Sequence, residues 1–230
     1  MTYDPRSASR LLPLLLALFL LHWPTPARAG TDLGIFDAET DVGTVSPPGS
    51  AEFDKATGQY RIKSSGQNIW NTHDDFHFVY RKLSGDLTAA ADISFLGPDT
   101  HPHRKAGWMI REGLDPDAAY VDVMVHGEGL IALQYRPKKG EPTQTIKSSV
   151  SSPALVRLER HGNKFELYAA PKSEQKDEAP KFQLVGSVTL SLKDPVYAGL
   201  AVSAHDARTT ETAVLSTVSL KADAPSDPKR

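Results

Sequence analysis

Apolar residues recur at every second position along most of this chain, which restricts it to extended strands with two unlike faces. Leu87, Ala89, Ala91, Ile93 and Phe95 alternate with other residues over one such run. Val121, Val123 and Val125 alternate with Asp122, Met124 and His126, and Ile131, Leu133 and Tyr135 alternate with Ala132, Gln134 and Arg136. Further strand-like runs lie at 59–63, 76–80, 154–160, 164–169, 182–190, 196–203 and 213–220, and 105–112 reads as another strand. Ser84-Gly85-Asp86, His126-Gly127-Glu128-Gly129 and His161-Gly162-Asn163 punctuate them as tight connections. No segment has the period of a long helix. Many short strands at this spacing predict an all-β sandwich or barrel.

The first 29 residues stand apart. Arg6 and Arg10 precede an apolar run from Leu11 to Trp23, and Ala27-Arg28-Ala29 has the small-x-small pattern of a signal-peptidase site. The expectation is a secretory signal peptide cut before Gly30, with an exported product that is periplasmic or secreted and has no membrane span. Residues 30–222 then form one domain, Pro171–Pro180 a charged loop and 223–230 a polar tail. There is no cysteine, which excludes disulfides, thiolate metal sites and a lipoprotein anchor. Cleavage removes three basic residues and one acidic residue, leaving 23 basic against 27 acidic, a formal charge of −4. That balance gives no reason to expect nucleic acid as a partner.

A sheet of a sandwich turns one face to the core and the other to solvent or a groove. On the strands near 76, 122 and 134 the non-core parity carries His77, Asp122, His126, Gln134 and Arg136, with Arg111 joining from the strand before. These planar hydrogen-bonding groups suit the hydroxyls of a polyol. Trp70 lies where a groove edge is expected and can stack on a sugar ring. Trp108, beside Ala106 and Gly107, reads chiefly as packing.

The motifs also follow one another in a familiar order. They are Asp41-Val42-Gly43, Gly66-Gln67-Asn68-Ile69-Trp70, Asp74-x-Phe76-His77-Phe78-Val79-Tyr80 and Leu83-Ser84-Gly85-Asp86. Lys105-Ala106-Gly107-Trp108-Met109-Ile110-Arg111-Glu112, residues 131–136 and residues 198–205 complete the set. In this the chain resembles the bacterial concanavalin A-like family grouped as domain of unknown function 1349, related to a yeast regulation-of-enolase protein. The resemblance implies a jelly-roll sandwich of two antiparallel sheets, one concave. Its superfamily holds lectins and glycosidases, so a carbohydrate ligand is the natural expectation, by analogy of fold.

Glycoside hydrolysis needs two carboxylates across the scissile bond. The strand patterns of glucanases, Glu-x-Asp-x-x-Glu and Glu-x-Asp-x-Glu, are absent, leaving only pairings of Asp122 with Glu112 or Asp75. No catalytic residue is assigned. A metal could draw on His73, His77, His101 and His103 with Asp74, Asp75 and Asp99, and calcium on Asp99, Asp115 and Asp117, but neither set has a recognisable ligand spacing. No metal site or cofactor is assigned. The reading is a non-catalytic module binding a glycan, or a periplasmic or extracellular protein, through Trp70, His77, Arg111, Asp122, Gln134 and Arg136. A glycoside hydrolase and a protein–protein adaptor are the alternatives.

Overall fold

The alternating runs assemble into two antiparallel sheets in a computed structural model, which describes residues 32–98, 100–172 and 179–222. The expected signal peptide and polar tail, and most of the charged loop, lie outside these residues. The strands are β1 (Ala38–Val42), β2 (Ser50–Asp54), β3 (Gln59–Ser64), β4 (Asn68–Trp70), β5 (His73–Leu83), β6 (Leu87–Leu96), β7 (Lys105–Arg111) and β8 (Tyr120–His126). They continue with β9 (Leu130–Arg136), β10 (Gln144–Ser151), β11 (Ala154–His161), β12 (Lys164–Pro171), β13 (Gln183–Thr189), β14 (Val196–Ser203) and β15 (Glu211–Ala222). None of the described residues forms a helix long and apolar enough to cross a membrane.

One sheet runs β1-β5-β14-β7-β8-β9-β10, with β4 added on β5; the other runs β13-β12-β11-β6-β15-β3-β2. Strands adjacent in space are thus often distant in sequence, as in a jelly roll. Ala106, Trp108, Ile110, Val121, Val123, Val125, Ile131 and Leu133 of the first sheet meet Ala89, Ala91, Ile93, Val156, Leu158 and Leu215 of the second in a continuous core. Each larger side chain withdrawn from water there contributes roughly 1.5–3 kcal/mol. Trp108 is fully buried, with Phe36 5.8 Å away.

The alternation marks the central strands but misses β1, β2, β4 and β10. Three of these are short, and β10 is an edge strand whose residues are exposed or half-buried along its length. A strand without a deeply buried face carries no period-two signature.

The outer face of the first sheet is less open than a lectin-like groove suggests. Phe76 and Phe78 of β5 pack there with Met109, Tyr120, Met124, Ala201, Val42 and Ile69 as a second apolar cluster. This corrects the expected facing of His77. Phe76, Phe78 and Tyr80 take the outer parity, so His77 turns to the same side as Val79, which belongs to the inter-sheet core. Alternation fixes which residues share a face, not which face is inside, and β5 is apolar on both. His77 instead ties strands together: Nδ1 lies 2.7 Å from Asp41 and Nε2 3.1 Å from Glu39. The Gly49 N–H donates to Asp41, and a Cβ at Gly49 would collide with the His77 ring at 2.4 Å, so this close approach requires glycine.

Candidate functional site

Cross-strand registers carry the outer face from strand to strand. Arg111 opposes Tyr120 and Tyr120 opposes Arg136; Met109 opposes Asp122 and Asp122 opposes Gln134; Lys105 opposes His126. Arg111, Asp122, His126, Gln134 and Arg136 therefore share the face that the alternation predicts for them. They divide between two ends of it.

At one end every polar group is spent on the fold. Arg136 donates to both oxygens of Asp74 at 2.6 and 2.7 Å, and also to the carbonyls of Ala118, Glu141 and Asn71. Arg111 lies 3.7 Å from the same carboxylate and donates to the carbonyls of Gly113 and Asp115. Both guanidinium groups and Asp74 are fully buried. Burial raises the Asp74 carboxyl, and the two guanidinium groups offset that only in part. The network fastens the loops around residues 71, 113–118 and 141–143 over the strands. Arg111 and Arg136 are thus fully buried and committed to the fold.

At the other end lies an open pocket of about 250 Å³. Its floor and sides include Lys105, His126, Leu130, Gln134, Thr145 and Lys147 from β7, β8, β9 and β10. Asn68 and Trp70 from β4, with His103, Glu128 and His205 from loops, complete the wall. Trp70 is 37% exposed, whereas Gln134 is only 3% exposed and its Oε1 has no hydrogen-bond partner. A buried amide oxygen left unpaired beside a cavity is a hydrogen-bonding group that the fold itself does not use.

Lys105 is nearly buried, donates to the Ile69 carbonyl at 2.7 Å and lies 5.1 Å from the centre of the Trp70 ring. Burial lowers its pKa to about 8, against the pull of Asp122 and Asp74. Beneath it, Asp122 is fully enclosed, and neither oxygen makes a well-formed hydrogen bond. Burial raises its carboxyl well above the usual range, partly opposed by Lys105 and by the nearby backbone N–H of Gln134. The imidazoles are also linked. His126 Nδ1 lies 3.1 Å from the Leu130 carbonyl, and burial with the Lys105 charge lowers its pKa to about 4. At neutral pH that ring donates through Nδ1, leaving Nε2 as an acceptor. His205 lies 3.0 Å from the Asn68 amide and stacks on His101 at 4.3 Å.

The structure therefore brings Trp70 and Gln134 to one pocket, sets Asp122 under it, and takes Arg111, Arg136 and His77 elsewhere. Sequence reasoning missed Lys105, Asn68, Thr145, Lys147 and the place of His205. Lys105 had a signal, since it shares the outward parity of Met109 and Arg111. His205 closes the 198–205 motif, but as a loop residue with φ 61° it has no strand parity from which its direction could be read.

The carboxylates weighed against Asp122 are engaged elsewhere. Glu112 accepts the Lys193 N–H, and Asp75 accepts the Thr44 N–H. Of the acids weighed for calcium, Asp99 lies outside the described residues, and Lys139 lies 2.5 Å from Asp115 and 3.6 Å from Asp117. Among the described residues, the acid–histidine group close enough to share a metal is Glu159, His161 and Glu166, on the other sheet.

No family model and no curated protein matches the chain. Solved structures do resemble it. A functionally unknown protein from Saccharomyces cerevisiae superposes with a TM-score of 0.57 at 16% identity, over 81% of this chain and 97% of its own. The carbohydrate-binding module CBM66 from Bacillus subtilis gives 0.53 at 15%, over 82% and 98%. The lectin UEA-II complexed with galactose gives 0.52 at 8%, over 81% and 98%. At these identities the likeness establishes the fold alone: a jelly-roll sandwich of two antiparallel sheets, as in CBM66 and the lectin UEA-II.

Proposed function

We propose that this chain is an exported, non-catalytic carbohydrate-binding module of the domain-of-unknown-function-1349 type, taking a sugar in the pocket beside Trp70. The observation that carries the reading is that one small pocket is lined both by a part-exposed indole, Trp70, and by Gln134, whose buried amide oxygen is unpaired. A sugar offers an apolar C–H face for the first and hydroxyl donors for the second. Asn68, His126 and Thr145 add further hydrogen-bonding groups to the lining. The fold neighbours that bind carbohydrate by name, CBM66 and UEA-II, support the class of ligand.

Binding is favoured over hydrolysis by the carboxylates. Glu128 is the acid of the pocket wall among the described residues, and Asp122 is shut beneath the floor. A glycosidase needs two acids facing the scissile bond, about 5 Å or about 6.5–9.5 Å apart.

The test is a glycan array followed by calorimetry on residues 30–230. Trp70→Ala should weaken binding of the best sugar at least about tenfold, a typical cost for losing a stacking anchor. The thermal midpoint should stay unchanged, because the side chain is part-exposed. A blank array, or full affinity in the variant, overturns the proposal.

A further inference from the structure

The pocket has a charge preference built into it. Lys105 brings three N–H donors to the floor, and the Ile69 carbonyl accepts from one. Its ammonium is not hydrogen-bonded to Asp122, whose oxygens have no well-formed partner. Lys147 is exposed on the same wall and forms no ion pair among the described residues. The acid of the wall, Glu128, lies 3.3 Å from His103. The pocket thus presents two cations with donors to spare, beside an indole and an unpaired amide.

We propose that the sugar bound here is anionic, its carboxylate or sulfate ester received by Lys105 and Lys147 while its ring lies against Trp70. This rests on the carbohydrate-binding reading and narrows it to acidic glycans. An ammonium sheltered from water forms a stronger charge-assisted bond than one on the surface, and a neutral sugar leaves that charge unused. The groups facing Lys105 are Asp74 on β5, Asp122 and His126 on β8, and His205 in the loop after β14. Both histidines have lowered pKa values, so neither adds charge that competes for the anion at neutral pH. Lys105 is protonated below about 8. Anion affinity should hold from pH 6 to 7 and fall as pH rises through about 8.

The experiment is calorimetry of residues 30–230 with an oligogalacturonate, its methyl ester, the neutral oligogalactose and a sulfated oligogalactose. The expected result is at least tenfold tighter binding of one or both anionic sugars, lost above pH 8 and reduced two- to fivefold by the surface change Lys147→Gln. Lys105→Met should abolish the preference. If that variant does not fold, Lys147→Gln and the pH profile still decide. Preference for the uronate alone assigns a carboxylate, and equal binding of the sulfated sugar assigns any anion. Equal binding of the acid and its ester, or binding of neutral sugars only, overturns the anionic proposal and leaves the carbohydrate reading intact. No binding of any sugar overturns both.

Discussion

The two ends of the outer face are made of similar residues and do opposite things. At one end Asp74 lies between Arg136 and Arg111, and every nitrogen of both guanidinium groups has a partner. At the other, neither oxygen of Asp122 is well bonded, and the buried amide oxygen of the pocket-lining Gln134 is unpaired. Burial and charge do not tell the ends apart; satisfaction does. A complete polar network locks loops, whereas an incomplete one in a cavity leaves groups for a ligand.

The sharpest way to break this comparison is to neutralise each carboxyl in turn. Asp74→Asn leaves two buried guanidinium groups uncompensated and should cost about 3–5 kcal/mol in a denaturant titration. Asp122→Asn should cost less, about 1–2 kcal/mol, because neither carboxyl oxygen has a well-formed hydrogen bond and what is lost is the charge facing Lys105. Equal losses would mean that the pocket floor is as structural as the sealed end.

A smaller effect is expected on acidification. The folded His126 pKa is about 4 against an unfolded value of 6.5. Between those values the unfolded chain takes up a proton that the folded chain refuses, so stability falls as pH drops from 6.5 to 4. The contribution is as much as about 3 kcal/mol. His126→Gln should flatten that part of the pH–stability curve. An unchanged slope would show that other groups carry it.

The central strands were legible from residue order because each has one apolar parity, and Asp122, Gln134 and Arg136 duly share a face. The division of that face was not legible. It depends on which loops fold over it, and Asn71, Pro116 and Glu141 give no sign in sequence that their carbonyls will meet Arg136. The facing of His77 failed for a different reason, since β5 has aromatic residues on one parity and Val79 on the other. Trp70 was legible as a rim aromatic, and its partner Lys105 shares the outward parity of Arg111 but lies at the start of a strand that is buried throughout.

The carbonyl of Asn71 has a consequence for kinetics. This residue, at φ 55°, accepts from the Thr143 backbone, the Thr143 hydroxyl and Arg136, and it follows Trp70 directly in the chain. The stacking wall is therefore tied by hydrogen bonds to the sealed end of the sheet before any sugar arrives. Little conformational entropy remains to be lost on capture. Association should proceed as a single step without a slow closing phase, and differences between related sugars should be expressed in how long they stay.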